Sequence, residues 1–118
     1  MCSTGTVTDP AARLTARRAE TAELAEALSR RLAGIIESST HTTHDDEHDP
    51  EGVTIAFERA QVAGVLTQAR AELRALDAAD LRLTAGTYGT CARCHRPITA
   101  ERLDALPATT TCIRCADR

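Results

Sequence analysis

The 118-residue chain has almost no aromatic side chains: it contains one Phe, one Tyr and no Trp. It also has no lysine, so its 14 basic residues are all arginines, and 22 of its residues are alanine. Alanine buries little apolar area, so this chain is ill suited to a thick globular core, a Rossmann domain or a large substrate pocket. Alanine and arginine favour helices, so the composition predicts thin helical packing.

Long apolar segments are also missing. No stretch approaches the ~20 apolar residues that span a bilayer, and the first ten residues lack the apolar region of a signal peptide. We therefore expect a cytoplasmic protein with no membrane segment. The lysine-free, alanine-rich composition is typical of a GC-rich bacterial genome.

The net charge of -3 is unevenly distributed along the chain. Residues 41–51 carry five acidic side chains and no arginine, whereas residues 85–118 carry five arginines and three acidic side chains. Duplex DNA requires a basic protein face, which no segment supplies, so we expect no direct sequence-specific DNA binding. A basic surface on another protein would fit the acidic segment better.

Two segments have the heptad spacing of a coiled coil. Asp9 and Pro10 supply a capping acid and a proline at the first helical position, and the pattern then runs to about Ser38. A second helix is predicted from about Val53 to Thr84. The expected core positions are Leu14, Thr21, Leu24, Ala25, Leu28, Leu32, Ile35 and Ile36, then Ile55, Val62, Leu66, Ala69, Leu73, Leu76 and Leu83. Two such helices around one polar turn predict an antiparallel hairpin about 45 Å long.

Four of the five cysteines form two C-x2-C pairs separated by 17 residues: Cys91, Cys94, Cys112 and Cys115. Each pair can bind one side of a metal ion, and this spacing is typical of structural zinc sites, so we predict one Zn²⁺ held by four thiolates. Four protein ligands leave no open position for water, which indicates a structural site. Disulfide bonds or redox cycling are the alternatives.

The spacer between the two cysteine pairs predicts a short helix, because Thr99 can cap it and Pro107 can end it. A small apolar core is expected around this helix. Its predicted members are Tyr88, Ile98, Leu103, Leu106 and Ile113.

These patterns predict an all-α fold: an antiparallel two-helix coiled-coil hairpin followed by a small four-cysteine zinc-finger knuckle. The expected divisions are a disordered tail at 1–9, the hairpin at 10–84 with an acidic tip at 41–52, and the finger at 85–118.

The acidic tip offers candidate contacts to a partner. They are Asp45, Asp46, Glu47, Asp49 and Glu51, with Asp49 the best single choice. His41, His44 and His48 lie in the same segment, so a solvated turn, a docking tip and a second metal site all remain open. No nucleophile–base pair or phosphate-binding glycine loop is present, so we expect neither enzymatic activity nor a small-molecule substrate.

Residues Thr87 to Cys115 resemble the zinc finger of the DksA/TraR family of transcription regulators. The shared features are an aromatic residue and a glycine before the first cysteine pair, an Arg-Leu-x-Ala-x-Pro stretch at 102–107, and the closing pair. The resemblance implies RNA polymerase as the partner. It implies that the coiled coil enters the secondary channel of the enzyme and that the acidic tip approaches its catalytic centre.

The chain departs from the family at the tip, where the best-known members carry Asp-x-x-Asp-x-Ala. Alignment on Asp49 places Gly52 and Thr54 at the two later positions, and alignment on Asp46 places Glu51 at the alanine. The chain also ends three residues after Cys115, without the C-terminal helix that contributes to the nucleotide site of longer members, so ppGpp binding is not carried over. We expect a non-enzymatic, polymerase-binding regulator. The alternatives are a zinc-stabilised interaction adaptor and a redox or zinc sensor that does not act on polymerase.

Overall fold

The fold is all-α, with two long helices followed by two short ones. A computed structural model of the protein describes residues 9–41 and 50–116, without the side chains of residues 39–41, 50 and 51. The helices are α1 (Pro10–His41), α2 (Pro50–Ala85), α3 (Ala100–Ala105) and α4 (Ile113–Ala116). The predicted antiparallel pair of long helices followed by a four-cysteine knuckle is confirmed.

The long helices extend beyond the lengths that the heptad pattern predicts. α1 begins at Pro10 as expected but continues past Ser38, and α2 begins before Val53. Proline is tolerated at the first position of α2 because the first backbone N–H groups of a helix have no intrahelical partner. Gly86, with φ +83°, ends α2 in the left-handed conformation. Within the described segments, no helix has an apolar stretch sufficient to traverse a bilayer.

The chain divides into two compact units, and each long helix contributes to both. Unit 1 comprises Met1–Glu20 with Glu72–Arg118, and unit 2 comprises Thr21–Ala71.

Unit 1 contains a core in which α1 packs against α2. Leu14, Leu76 and Ala79 are buried together, and Tyr88 and Ala108 of the finger pack against them. The same cluster therefore holds both helices and the finger within this unit.

Three ion pairs supplement the core of unit 1. Arg17 Nε lies 2.8 Å from Glu72 Oε2, and Arg18 Nε lies 2.7 Å from Asp77 Oδ1. Both pairs join an arginine of α1 to an acidic residue of α2. A third pair, Arg13 Nη1 to Asp104 Oδ1 at 2.9 Å, joins α1 to α3.

Unit 2 has a narrow core built partly from small residues. Its buried positions include Thr21, Ala25, Val62, Leu66 and Ala69. Leu24 and Ile36 were expected in this core, but they are 49% and 44% exposed, so that expectation is wrong. Two helices cover only a narrow stripe of each other, and Ala25 takes the buried position beside Leu24.

Candidate metal centre

The first cysteine pair lies in a tight turn after α2. The Cys91 N–H donates to the Arg96 carbonyl at 2.8 Å, and the His95 N–H donates to the Cys91 carbonyl at 2.9 Å. His95 adopts φ +64°, a left-handed conformation in which histidine is enriched relative to most residues. The backbone N–H groups of Arg93 and Cys94 donate to Cys91 Sγ at 3.4 and 3.5 Å. The turn thus surrounds one sulfur with amide donors.

The second pair lies at the start of α4. The Cys115 N–H donates to the Cys112 carbonyl at 3.1 Å, which closes the second turn. The Ala92 N–H donates to the Thr110 carbonyl at 2.8 Å and so joins the first turn to the segment that precedes Cys112. The sequence analysis missed this anchor, because any residue type can supply a backbone carbonyl.

The two turns bring the four predicted cysteines together. Their Sγ atoms all lie within 4.8 Å of one another, and Cys94 Sγ lies 3.7 Å from Cys112 Sγ. Cys91 is buried, Cys94 is exposed, and Cys112 and Cys115 are half-buried. Among the residues that the structure describes, this is the one cluster of at least three side chains arranged to hold a metal ion. Coordination by these particular residues stays a prediction.

The surroundings shift the pKa values of these thiols in opposite directions. The backbone N–H of Cys94, aided by those of Cys112 and Arg93, lowers the pKa of Cys91 to about 5 despite its burial. The backbone N–H of Cys115 lowers the pKa of Cys112. Burial raises the pKa of Cys115 to about 12, and hydrogen bonding among the thiols adds to the effect. Because thiolate is the metal-binding form, the amides favour that form at Cys91 and Cys112.

The short helix α3 supports the site as the sequence predicts. Thr99 Oγ1 accepts a hydrogen bond from the Arg102 N–H at 3.3 Å, so the predicted cap is confirmed. Leu103 of α3 is buried with Ile98 and Cys91, and Tyr88 packs against this cluster.

Two expected members of the finger core are exposed instead. Leu106 is 48% exposed and Ile113 is 67% exposed, so their assignment to the core is wrong. α3 and α4 have six and four residues, which is too short for apolar spacing to define a buried face.

The predicted tip contacts fall almost entirely outside the described residues. This applies to Asp45, Asp46, Glu47 and Asp49, and also to His44 and His48. Glu51 lies in the first turn of α2 and His41 at the end of α1, but their side chains are not described. The tip therefore stays a prediction.

The fold and the cysteine cluster define a small helical protein of the four-cysteine finger class. Residues 86–118 match the prokaryotic dksA/traR C4-type zinc finger family. The finger of this chain is therefore similar to the DksA/TraR type.

Known proteins resemble the chain in sequence or in fold. It is 45% identical over 47 residues to an uncharacterized protein of Aquifex aeolicus (strain VF5), a match that covers 40% of this chain and 32% of that relative. The chain thus spans about a third of the length of this curated relative.

Two solved structures also match. Transcription factor DksA2 from Pseudomonas aeruginosa has a TM-score of 0.53 and 23% identity, over 91% of this chain and 82% of that one. The solution structure of the DnaK suppressor protein from Agrobacterium tumefaciens C58 has a TM-score of 0.47 and 29% identity, over 98% of each chain. The likeness to DksA2 shows a shared fold. The match of the finger to this family agrees with the prediction of a non-enzymatic protein.

Proposed function

We propose that the chain is a zinc-stabilised, non-enzymatic transcription regulator that binds RNA polymerase through the acidic segment between α1 and α2. The observation that carries the proposal is the four-sulfur cluster within a DksA/TraR finger. The fold that the chain shares with a transcription factor of Pseudomonas aeruginosa supports the same function.

Zinc fits the geometry of the sulfur cluster. Thiolates bind zinc at about 2.3 Å, so adjacent sulfurs of a tetrahedral site lie about 3.8 Å apart. The distance of 3.7 Å between Cys94 Sγ and Cys112 Sγ agrees with this value. In the proposal Cys91, Cys94, Cys112 and Cys115 hold the ion, which closes the finger and leaves no position for a substrate.

Metal content tests this part of the proposal. We expect about one zinc per chain in the purified protein, and loss of zinc with unfolding of the finger in Cys112→Ser. Cys2→Ser is the matched control, because Cys2 lies outside both pairs, and its zinc content should be unchanged. A metal-free protein with an intact fold would contradict the assignment.

The acidic segment is the proposed contact with the polymerase. It comprises Asp45, Asp46, Glu47 and Asp49 between the two helices, together with Glu51 in the first turn of α2. This dense negative charge would attract a basic protein surface, and the attraction should weaken as salt is added. The proposal retains the divisions 1–9, 10–84 and 85–118, and it places the protein in the cytoplasm with the polymerase.

Binding to purified RNA polymerase tests the segment directly. A variant with Asp46→Asn and Asp49→Asn should bind at least about tenfold more weakly and lose its effect in run-off transcription. Glu20→Gln with Glu23→Gln removes the same charge from exposed positions of α1 and should leave binding unchanged. Equal binding by the two double variants would exclude the tip as the contact. No binding by the unmodified chain would favour an adaptor or sensor with another partner.

A further inference from the structure

The side chains of two finger arginines form no hydrogen bond or ion pair with the described residues. The side chain of Arg102 stabilises the finger, because its Nε donates to the Thr111 carbonyl at 2.9 Å. By contrast, Arg96 and Arg114 are exposed, and neither side chain bonds or pairs with any residue of the described segments. Within the described residues, the two positive charges are therefore unpaired.

The two arginines border the same cavity. It has a volume of about 310 Å³ and is lined by Cys94, Cys112 and Cys115 together with Arg96 and Arg114. Arg96 follows the first cysteine pair and Arg114 lies between the cysteines of the second, so closure of the finger brings both cations to one opening.

Charge balance at the metal centre is the simplest role for these arginines. Four thiolates around a divalent ion carry a formal charge of about -2, which two cations would offset. The hydrogen bonds to Cys91 Sγ, however, come from the backbone N–H groups of Arg93 and Cys94. Neither Arg96 nor Arg114 donates to a sulfur in the described structure. Direct stabilisation of the thiolates therefore does not require these two side chains.

We propose that Arg96 and Arg114 form a docking site for an acidic segment of a protein partner. The planar guanidinium group matches a carboxylate through two parallel hydrogen bonds. Ile113, adjacent to Arg114 and 67% exposed, adds an apolar contact, and arginine beside exposed apolar area is typical of protein interfaces. This inference rests on the proposed function, in which the partner is RNA polymerase.

Nucleic acid fits this site less well than an acidic protein segment. Phosphate backbones are bound by extended basic surfaces, whereas this chain has a net charge of -3 and no lysine. The site also offers two isolated cations and an aliphatic side chain, without an aromatic side chain on which a base could stack.

A double variant, Arg96→Gln with Arg114→Gln, tests the site in the zinc-loaded full chain. Its dissociation constant for RNA polymerase should rise at least about tenfold, and binding should become less sensitive to salt. Its zinc content and thermal unfolding midpoint should match those of the unmodified chain. Arg70→Gln with Arg74→Gln is the matched control, because both residues are exposed on α2 and have no partner in the described structure. This control should alter binding less than about twofold.

Three results would overturn the docking site. One is that the Arg96/Arg114 variant loses zinc but still binds polymerase as the unmodified chain does. This result would show that the arginines balance the charge of the metal centre. A second is a loss of affinity for duplex DNA larger than that for polymerase. If the unmodified chain does not bind polymerase, the proposed function fails. The arginine site is then tested separately by its binding to an oligoglutamate peptide. The third result is equal peptide binding by the unmodified chain and the Arg96/Arg114 variant.

Discussion

Replacement of Leu76 by alanine should remove a large part of the stability of the protein. Leu76 is 2% exposed and is buried with Leu14 and Ala79, and Tyr88 packs against the same cluster. Leu→Ala at such a site costs about 2–5 kcal/mol, because apolar burial is lost and a cavity remains. At roughly 0.05–0.15 kcal/mol per residue, the whole chain has about 6–18 kcal/mol to lose.

Thermal and urea unfolding, followed by far-UV circular dichroism with saturating zinc, measures this loss. The midpoint should fall by roughly 8–20 °C, at about 4 °C per kcal/mol for a chain of this size. Leu81→Ala is the matched control: it makes the same chemical change in α2, but at a residue that is 72% exposed. Its effect should stay within about 0.5 kcal/mol. Equal losses in the two variants would refute the packing of α1 on this face of α2.

Five further substitutions test local features of the fold by urea unfolding. Gly64→Ala should stabilise by about 1 kcal/mol, because nothing lies within 4 Å of the added carbon in α2. Gly89→Ala should destabilise by about 1–2 kcal/mol, because φ there is +85°, where a residue with a side chain is strained. Equal effects of the two glycine substitutions would contradict this role of backbone strain. The hydrogen bond from Arg18 lowers the pKa of Asp77. The pairing therefore stabilises the fold above the unfolded-state pKa of about 3.9. This stabilisation is lost as the pH falls through the lower folded-state pKa. A double-mutant cycle of Arg18→Gln and Asp77→Asn should thus show a coupling at neutral pH that disappears in acid, and a pH-independent coupling would refute it. Tyr88→Phe should cost about 0.5–1.5 kcal/mol, because the hydroxyl donates to a backbone carbonyl at 2.8 Å, and an unchanged midpoint would show that this bond contributes nothing.

The features that the sequence could predict are those set by spacing. The heptad recurrence of Leu14, Val62 and Leu76 predicts the two long helices, and all three residues are buried. The spacing of the cysteine pairs predicts a four-sulfur cluster, and the Sγ atoms are within reach of one another. Local chemistry was sufficient at Thr99, where a hydroxyl before a short helix predicts a cap.

The features that could not be predicted depend on contacts between distant segments. Leu24 and Ala25 both fit an apolar stripe, and only the partner helix decides which of them is covered. Ile113 has the apolar side chain typical of a core residue, but it lies in a four-residue helix. A helix this short has no periodicity that defines a buried face. The left-handed conformation of His95 arises from closure of the cysteine turn, which the type of this residue does not reveal.

The packing of unit 1 determines how this protein can be cut into fragments. The family motif begins at residue 86, but Tyr88 and Ala108 rest on Leu14 and Leu76, which lie outside the motif. A finger fragment produced by cleavage after α2 would expose to solvent the apolar side chains that α1 and α2 cover in the full chain. A minimal fragment that folds on its own would instead join residues 9–20 through a synthetic linker to residues 72–116.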